Sequence, residues 1–365
     1  MRENDAIPMK LALIRRKFDA GGGAELYTQR LLTALVEAGH DVHLFAESWA
    51  EAPAQVRFHP VGVRAPRASR ARMFAETVQA QLRSIHFDCV FSLERTLRQD
   101  VYRAGDGVHR VWLERRREFA PWWKRWLIGR GRFHQSMLAL ERETFSPSNT
   151  RHIIVNSEMV RHEIQRCFDF PDERIHLVRN GVCVERFQNL DRRAARSRFG
   201  FSESDFVLLF AGSGWDRKGL RYAIEVARRL QGAQVKLLVA GKGKAPSNSP
   251  SNVLFTGPLR DVETAYAAGD LLLCLPTYEP SANVVCEALA SGLPVVTCIQ
   301  NGAAEWIQRG VTGSIVDNPA DVSSVLAAVE PWLLRPRKPF PIELDDLRLE
   351  RNVRETLAVI SLCRQ

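Results

Sequence analysis

Short apolar runs alternate with stretches of helical spacing along the whole chain. In AELYTQRLLTALVEAG, for example, Leu32, Leu35 and Val36 recur at helical spacing and a glycine closes the segment. Because the apolar runs are almost uninterrupted and alternate with helices, they predict parallel sheets covered on both faces. The predicted strands are KLALIRR, DVHLFAES, VRFHPV, DCVFSL and HIIVNS in the first half, and FVLLFAG, QVKLLVAG, NVLFTG, DLLLCLP and PVVTC in the second. The expected fold class is therefore α/β, with two Rossmann-like doubly wound domains.

A change of pattern after Phe187 predicts the boundary between the two domains. Here VERFQNLDRRAARSR loses its apolar periodicity and gains charge. We expect an N-terminal domain at 1–187, a C-terminal domain at 188–340 and a separate helix at 341–365, after PRKPFP. A length of 365 residues suits two such domains.

The composition is that of an ordinary soluble protein, with 45 % hydrophobic and 25 % charged residues. The seven cysteines are dispersed and contain no CxxC pair, so neither a disulfide framework nor a zinc site is indicated. No apolar run has the length of a signal peptide or a membrane span. These features predict a cytoplasmic protein.

The net charge of +9 is placed unevenly, because residues 1–190 carry 30 Lys and Arg against 23 Asp and Glu. The first half is therefore expected to meet an anionic partner. Composition alone leaves nucleic acid, anionic lipid and a phosphorylated acceptor open.

One segment, ERRREFAPWWKRWLIGRGRF, concentrates both aromatic and basic residues. On a helical wheel Trp122, Trp123 and Trp126 fall on one side, whereas Lys124 and Arg125 fall on the other. Indole rings beside cations suit the surface of a bilayer that contains anionic lipid. The alternative is a set of core tryptophans below a solvated basic face. A nucleic-acid surface would need stacking aromatics on a suitable fold, so we expect no nucleic-acid partner.

Two carboxylates separated by seven residues form the sharpest chemical motif, EPSANVVCE, from Glu279 to Glu287. If a helix starts near Ala282, Glu279 lies on the preceding loop and Glu287 about one turn inside. The N–H groups of Ala282, Asn283 and Val284 then face the space in front of the helix, where they favour a phosphate or a sugar oxygen. A carboxylate at the mouth can bind sugar hydroxyls, and a deeper one can bind the ribose diol. The motif predicts a nucleotide-sugar site, with an unrelated loop residue and surface residue as the alternative.

The run GSGWDRKG places Arg217 and Lys218 at the tip of a glycine-containing turn between a strand and a helix. Such a turn brings backbone close to an anion, while the cations neutralise a diphosphate. An ordinary solvated basic loop is the alternative. The chain has no D-x-D pair for a divalent metal, so we expect metal-independence with these cations and helix N–H groups in place of the ion.

The run YEPSANVVCEALASGLPVVT resembles the signature of the retaining glycosyltransferases of family four, which have the GT-B fold. Further fragments agree in order and spacing: GGGAE, IIVNSEMV, VRNGV, FAGSGWDRKG, LLVAGKG and AYAAGDLLLCLPTYE. The resemblance covers nearly the whole chain and implies two domains that face an interdomain cleft, with a C-terminal helix that returns to the first domain. Within the family, DVYRAGD and LERETF look most like the lipopolysaccharide core glucosyltransferases.

The resemblance also implies roles for single residues. Lys218 matches the phosphate-binding lysine of the family, although Ser213 stands where an arginine is usual. Gly22 and Gly23 belong to a loop that faces the donor phosphate in the family. Asp106 matches an acidic residue near the reacting sugar, which could receive the proton of the acceptor hydroxyl.

Each of these residues also has an ordinary structural explanation. A glycine triplet is often a simple turn, and Asp106 could be a turn residue in its glycine-rich loop. His109, three residues further on, is a weaker candidate for the same proton.

The sequence hypothesis is a metal-independent, retaining hexosyltransferase with a nucleotide-sugar donor. It would move a hexose, such as glucose from UDP-glucose, onto a lipopolysaccharide core or a similar anionic glycolipid at the cytoplasmic face of the inner membrane. Asp106, Lys218 and Glu279 are its candidate catalytic residues. The alternatives are a nucleotide-sugar epimerase of similar fold, which would turn over without acceptor, and a non-catalytic carbohydrate- or lipid-binding protein.

Overall fold

The computed structural model describes residues 8–17, 23–49, 53–232, 234–335 and 343–364, without the side chains of 23–26. The chain divides into two compact units, Met1–Arg179 with Glu350–Gln365, and Asn180–Leu349. The division falls earlier in the chain than the predicted position after Phe187.

The segment that follows Arg179 lies with the second unit because its backbone pairs there. The Val182 N–H donates to Leu347 O at 2.8 Å, and the Leu349 N–H donates to Val182 O at 3.1 Å. The ring of Phe187 packs edge-on against Tyr266, with ring centroids 5.3 Å apart.

The first unit is built on a seven-stranded parallel sheet in the order β3-β2-β1-β4-β5-β6-β7. Its strands are β1 Lys10–Ile14, β2 Asp41–Ala46, β3 Arg57–Pro60, β4 Cys89–Ser92, β5 Gln99–Arg103, β6 Thr150–Val155 and β7 Ile175–Leu177. Its helices up to the division are α1 Gly23–Glu37, α2 Arg70–Leu82, α3 His109–Glu118, α4 Trp122–Arg125, α5 Arg132–Thr144 and α6 Glu158–Phe168, with a 3₁₀ turn at Asp172–Arg174.

The second unit is built on a six-stranded parallel sheet in the order β10-β9-β8-β11-β12-β13. Its strands are β8 Phe206–Ala211, β9 Val235–Ala240, β10 Val253–Gly257, β11 Leu271–Cys274, β12 Val295–Cys298 and β13 Gly313–Val316. Its helices are α7 Arg192–Phe199, α8 Trp215–Lys218, α9 Leu220–Arg229, α10 Glu263–Ala268, α11 Asn283–Ala290, α12 Val322–Leu333 and α13 Leu344–Leu347, with 3₁₀ turns at Val184–Phe187 and Gly302–Trp306. The predicted α/β class with two parallel sheets is confirmed.

The final helix, α14 Leu349–Ser361, runs into a 3₁₀ turn at Leu362–Arg364 and packs on the first unit. The Asn352 side chain donates to Arg179 O at 2.6 Å, and Thr356 lies 3.3 Å from the Tyr27 hydroxyl. The C-terminal segment thus belongs to the first unit even though the whole second unit precedes it in the chain.

Candidate active site

The turn after β8 carries Arg217 and Lys218, which we term the basic tip, at the position that the sequence predicted. Gly212 and Gly219 have φ angles of 117° and 77°, in the region that favours glycine. A Cβ on Gly219 would lie 1.8 Å from Leu275 O, and one on Gly212 would lie 2.7 Å from Lys218 Nζ. Gly219 is therefore required by backbone contact as well as by conformation. Gly212 is favoured by conformation, and the flexible end of the Lys218 side chain lies over it.

Two further contacts hold this turn against the loop that follows β9. The indole of Trp215 packs on Gly243, where a Cβ would lie 2.5 Å from the ring, and its N–H donates to Gly212 O at 3.0 Å. The Ser213 hydroxyl accepts the Lys242 N–H at 3.2 Å. The residue at the usual arginine position therefore binds the neighbouring loop instead of supplying a second cation.

Arg217 joins the basic tip to the motif of the two glutamates. Its guanidinium forms a salt bridge with the Glu279 carboxylate and donates to Tyr278 O at 3.4 Å. The Glu279 side chain is 14 % exposed and that of Arg217 is 40 % exposed, so the pair lies at the surface end of the site. Lys218 is half-buried, and its side chain makes no hydrogen bond or ion pair with another described residue. Two motifs that are 62 residues apart thus meet in one place.

The loop before α11 is fixed by the buried side chain of Asn301. Its Oδ1 accepts the N–H groups of Ala282 at 3.2 Å and Ala303 at 3.1 Å. The N–H of Ala282, which we expected to face the donor, is therefore engaged. The groups that remain are those of Asn283 and Val284, which start the helix and have no intrahelical acceptor.

Glu287 lies inside α11, about one turn after its start, as the sequence predicts. Burial raises the pKa of its carboxyl, and the hydrogen bond from the Tyr266 hydroxyl and the charge of Lys218 oppose this shift. Tyr266 itself is fully buried, and its pKa is raised well above the ordinary value by burial and by the Glu287 charge. Sequence reasoning did not assign roles to Tyr266 or Asn301, although AYAAGD was among the fragments that resemble the family.

The described residues include only part of the glycine triplet of the first unit. Gly22 lies outside the described residues, whereas Gly23 begins α1, after β1. The predicted contact of these glycines with a donor phosphate stays a prediction.

Asp106 is exposed on the turn that follows the carboxyl end of β5. The turn is closed by the Gly107 N–H, which donates to Ala104 O at 3.0 Å, and by the Asn156 side chain, which donates to Gly105 O at 3.2 Å. These contacts hold the backbone and leave the carboxylate open to solvent.

His109, the weaker candidate for the proton acceptor, starts α3. Its N–H donates to Glu141 at 2.5 Å, and its ring nitrogen lies 3.2 Å from that of His134. Burial, followed by the charge of Arg95, lowers the pKa of His109 to about 4. His109 is partly buried between Glu141 and His134, whereas Asp106 is exposed, so accessibility to an acceptor favours Asp106 over His109.

The segment between α3 and α5, residues 119–131, forms what we term the basic aromatic hairpin. Trp122, Trp123 and Trp126 are 77 %, 54 % and 59 % exposed, which excludes the alternative of core tryptophans. Lys124 and Arg125 are exposed as well. Helix occurs only at Trp122–Arg125, which is shorter than the helical wheel assumed.

Two contacts keep this hairpin in place. At its base the Arg117 guanidinium donates to Ile128 O at 2.9 and 3.2 Å. The guanidinium of Arg130 lies 5.4 Å from the ring centroid of Trp126. The tryptophans are therefore presented on a braced loop.

In the described part of the chain, no helix has the length and apolar character needed to cross a bilayer. The same residues include no group of three or more His, Cys, Asp or Glu side chains arranged to hold a metal ion.

Comparison with known proteins identifies the family. Residues 21–186 match the family described as "Glycosyltransferase Family 4", and residues 205–334 match that described as "Glycosyl transferases group 1". The lipopolysaccharide glucosyltransferase WaaG of Escherichia coli is 26 % identical over 85 % of this chain and 86 % of its own.

Solved structures agree on the fold. A crystal structure of WaaG has a TM-score of 0.76 at 24 % identity and covers 97 % of each chain. HepE of Anabaena, solved in complex with UDP and glucose, has a TM-score of 0.71 at 16 % identity and covers 97 % of this chain and 100 % of its own. The two family matches span both units, so the chain belongs to the glycosyltransferases of family 4 and has the GT-B fold.

Proposed function

We propose that this glycosyltransferase moves glucose from UDP-glucose, with retention of configuration, onto a lipopolysaccharide core or a similar anionic glycolipid. The observation that carries the donor half of the proposal is the meeting of Arg217, Lys218 and Glu279 in the second unit, with Glu287 behind them. The similarity to WaaG supports the sugar and the acceptor, and the UDP complex of HepE supports the nucleotide.

Each donor-site residue has a role in this proposal. Lys218 and Arg217 bind the diphosphate, and Glu287 accepts hydrogen bonds from the ribose diol. Glu279 binds hydroxyls of the transferred sugar, together with the N–H groups of Asn283 and Val284. Because Arg217 is paired with Glu279, a diphosphate has to draw this guanidinium away from the carboxylate or share it.

Catalysis then consists of stabilising the departing nucleoside diphosphate. Negative charge grows on its terminal phosphate as the glycosidic bond breaks, and a fixed cation close to that phosphate lowers the barrier without a metal. We therefore expect activity to survive EDTA. Loss of activity in EDTA, with rescue by magnesium or manganese, would show that a carboxylate group of this chain binds a metal instead.

The acceptor is assigned to the first unit. Asp106 is the exposed carboxylate that would receive the proton of the acceptor hydroxyl. Gly22 and Gly23 would approach the donor phosphate without side-chain interference.

The basic aromatic hairpin suits an acceptor that is embedded in a membrane. Its exposed indoles can enter the interface of a bilayer while Lys124 and Arg125 stay among anionic headgroups. We propose that the protein binds peripherally at the cytoplasmic face of the inner membrane, and the exposed indoles and cations of the hairpin support this proposal.

Thermal stabilisation by nucleotide-sugars tests the donor directly. A ligand that binds only the native state raises stability by RT ln(1 + [L]/Kd), so UDP-glucose at 100 times its Kd should contribute about 2.7 kcal/mol. UDP-glucose should give a larger shift than ADP-glucose or GDP-mannose. An equal or larger shift with one of the other donors would replace the proposed nucleotide or sugar.

A further inference from the structure

A hydrogen bond joins the buried Tyr266 to the Glu287 carboxylate. Tyr266 is 0 % exposed, and its hydroxyl donates to Oε2 of Glu287 from the neighbouring helix α10. The ring is held independently of this bond, because it packs edge-on against Phe187 at 5.3 Å. The phenol therefore acts as a rigid support for the carboxylate.

This support leaves the carboxylate with free acceptor capacity in a defined direction. An ionised carboxylate offers about four lone-pair sites on its two oxygens, and Tyr266 uses one of them. A ribose diol presents two hydroxyl donors in fixed relation to each other, so it is bound best by a carboxylate that cannot rotate. Without the phenol, Glu287 would have to lose rotational freedom when the ribose binds.

The phenol also favours the ionised form that a diol needs. Glu287 is affected by the hydrogen bond from Tyr266 and by the charges of three further groups, Lys218 of the basic tip, Arg186, and Glu263 of α10. Burial and Glu263 raise the pKa of Glu287, whereas the Tyr266 hydrogen bond, Lys218 and Arg186 lower it. Removal of the phenol hydroxyl should move this balance toward the protonated carboxyl, which accepts fewer hydrogen bonds.

We propose that Tyr266 is a positioning residue that gives the nucleotide site its preference for ribose over 2′-deoxyribose. The proposal rests on the proposed function, in which Glu287 binds the ribose. Tyr266 is fully buried and contacts the carboxylate, so its effect should be larger for a ligand that offers both hydroxyls of the diol than for one that lacks the 2′-hydroxyl.

Calorimetry of Tyr266→Phe with UDP and with 2′-deoxy-UDP tests this role. The wild type should bind UDP about tenfold or more tightly than 2′-deoxy-UDP, since a site built to bind a hydroxyl discriminates against its loss. In Tyr266→Phe the UDP affinity should fall roughly five- to twentyfold, less than for the loss of a direct hydrogen bond to a charged group, because the effect acts through Glu287. The 2′-deoxy-UDP affinity should fall by a clearly smaller factor, because only its 3′-hydroxyl can bind the carboxylate. Phe retains the ring packing on Phe187, and the Tm of the variant checks that it folds.

Two controls separate this role from a general loss of structure. Tyr27→Phe removes another buried tyrosine hydroxyl, which contacts Thr356 in the first unit, and should leave both affinities unchanged. In Glu287→Gln, the further change Tyr266→Phe should add less than twofold to the loss of UDP affinity. As the pH is lowered, Tyr266→Phe should lose UDP affinity at a higher pH than the wild type.

The possible results separate the role of Tyr266 from the ribose role of Glu287 on which it depends. A wild type that binds UDP and 2′-deoxy-UDP equally would overturn the ribose role of Glu287 and, with it, the role of Tyr266. A wild type that discriminates, together with a folded Tyr266→Phe variant that discriminates equally, would overturn the role of Tyr266 alone. A parallel loss of both affinities in Tyr266→Phe would also overturn it, because the residue would then support the site as a whole.

Discussion

Lys218 is the single residue on which the proposed chemistry depends most. Its side chain lies over Gly212 at the end of β8, and its charge acts on Glu287. Lys218→Ala should lower turnover by about a hundredfold or more, by analogy with the removal of one donor to a developing anion. Steady-state kinetics with UDP-glucose and acceptor measure this loss.

Lys236→Ala is the matched control for that change. Lys236 lies near the start of β9, at the opposite end of the sheet from the basic tip, and should affect turnover less than twofold. Near-normal activity in a folded Lys218→Ala protein would contradict the assignment.

The two glutamates should differ in their effect on free UDP. Glu287→Ala removes the proposed ribose acceptor and should weaken UDP binding by about 1.5–3 kcal/mol. Glu279→Ala should leave UDP affinity equal or higher, because it frees Arg217 from its salt bridge, while it impairs turnover of UDP-glucose. Calorimetry with UDP separates the two variants, and equal losses would contradict the division of roles.

The same residues show what the sequence could predict of the site and what it could not. Arg217, Lys218, Glu279 and Glu287 carry charge in short motifs, so they are visible without a fold. The residues that hold these groups in place cannot be identified in this way. Asn301 accepts the Ala282 N–H from 19 residues further along the chain, and no local pattern encodes such a contact. The expectation of a free Ala282 N–H was wrong for this reason.

At the scale of the element, Gly219, which ends the turn after β8, should be intolerant of a side chain. Gly219→Ala places a Cβ 1.8 Å from Leu275 O in a residue with φ of 77°, and should lower the free energy of unfolding by about 3 kcal/mol or more. Urea unfolding measures this loss of stability.

Gly200→Ala is the matched control because Gly200 has φ of 72° but open space at its Cβ position. Gly200→Ala should lower the free energy of unfolding by about 1–2 kcal/mol, which is the cost of the backbone conformation alone. Equal losses in the two variants would show that contact with Leu275 contributes nothing.

The strands illustrate a second limit of sequence patterns. Apolar runs predicted most strands of both sheets, but β5, β7 and β13 were not among them. In β5 the ends are the polar residues Gln99 and Arg103, which are nevertheless buried. Gln99 is satisfied there by side-chain hydrogen bonds to Thr96 and Thr150, so tertiary contacts rather than hydrophobicity make this segment a strand.

At the scale of the whole molecule, the surplus positive charge of the first half and the basic aromatic hairpin predict membrane binding. Cations near an anionic surface contribute roughly 1 kcal/mol each, and indole insertion adds an apolar contribution that salt does not screen. Sedimentation with vesicles that contain phosphatidylglycerol should show binding that falls at high salt without vanishing. Replacement of Trp122, Trp123 and Trp126 by Ser should weaken it further.

Phe58→Ser is the control for that replacement, because Phe58 is 42 % exposed in the same unit but lies outside the hairpin. It should leave vesicle binding unchanged. If the wild type ignores anionic vesicles at low salt, or the triple variant binds them equally well, the hairpin serves another purpose, such as contact with the acceptor.

The most direct test of the account is transfer of labelled glucose from UDP-glucose to a lipopolysaccharide core that lacks its glucose. We expect label in the glycolipid, one UDP released per glucose transferred, and an α linkage by NMR, which is the retained configuration of the donor. Three results would contradict the proposed reaction. They are hydrolysis of the donor to UDP and free glucose with no label in the glycolipid, a change of the sugar in the absence of acceptor, and an inverted β linkage in the product.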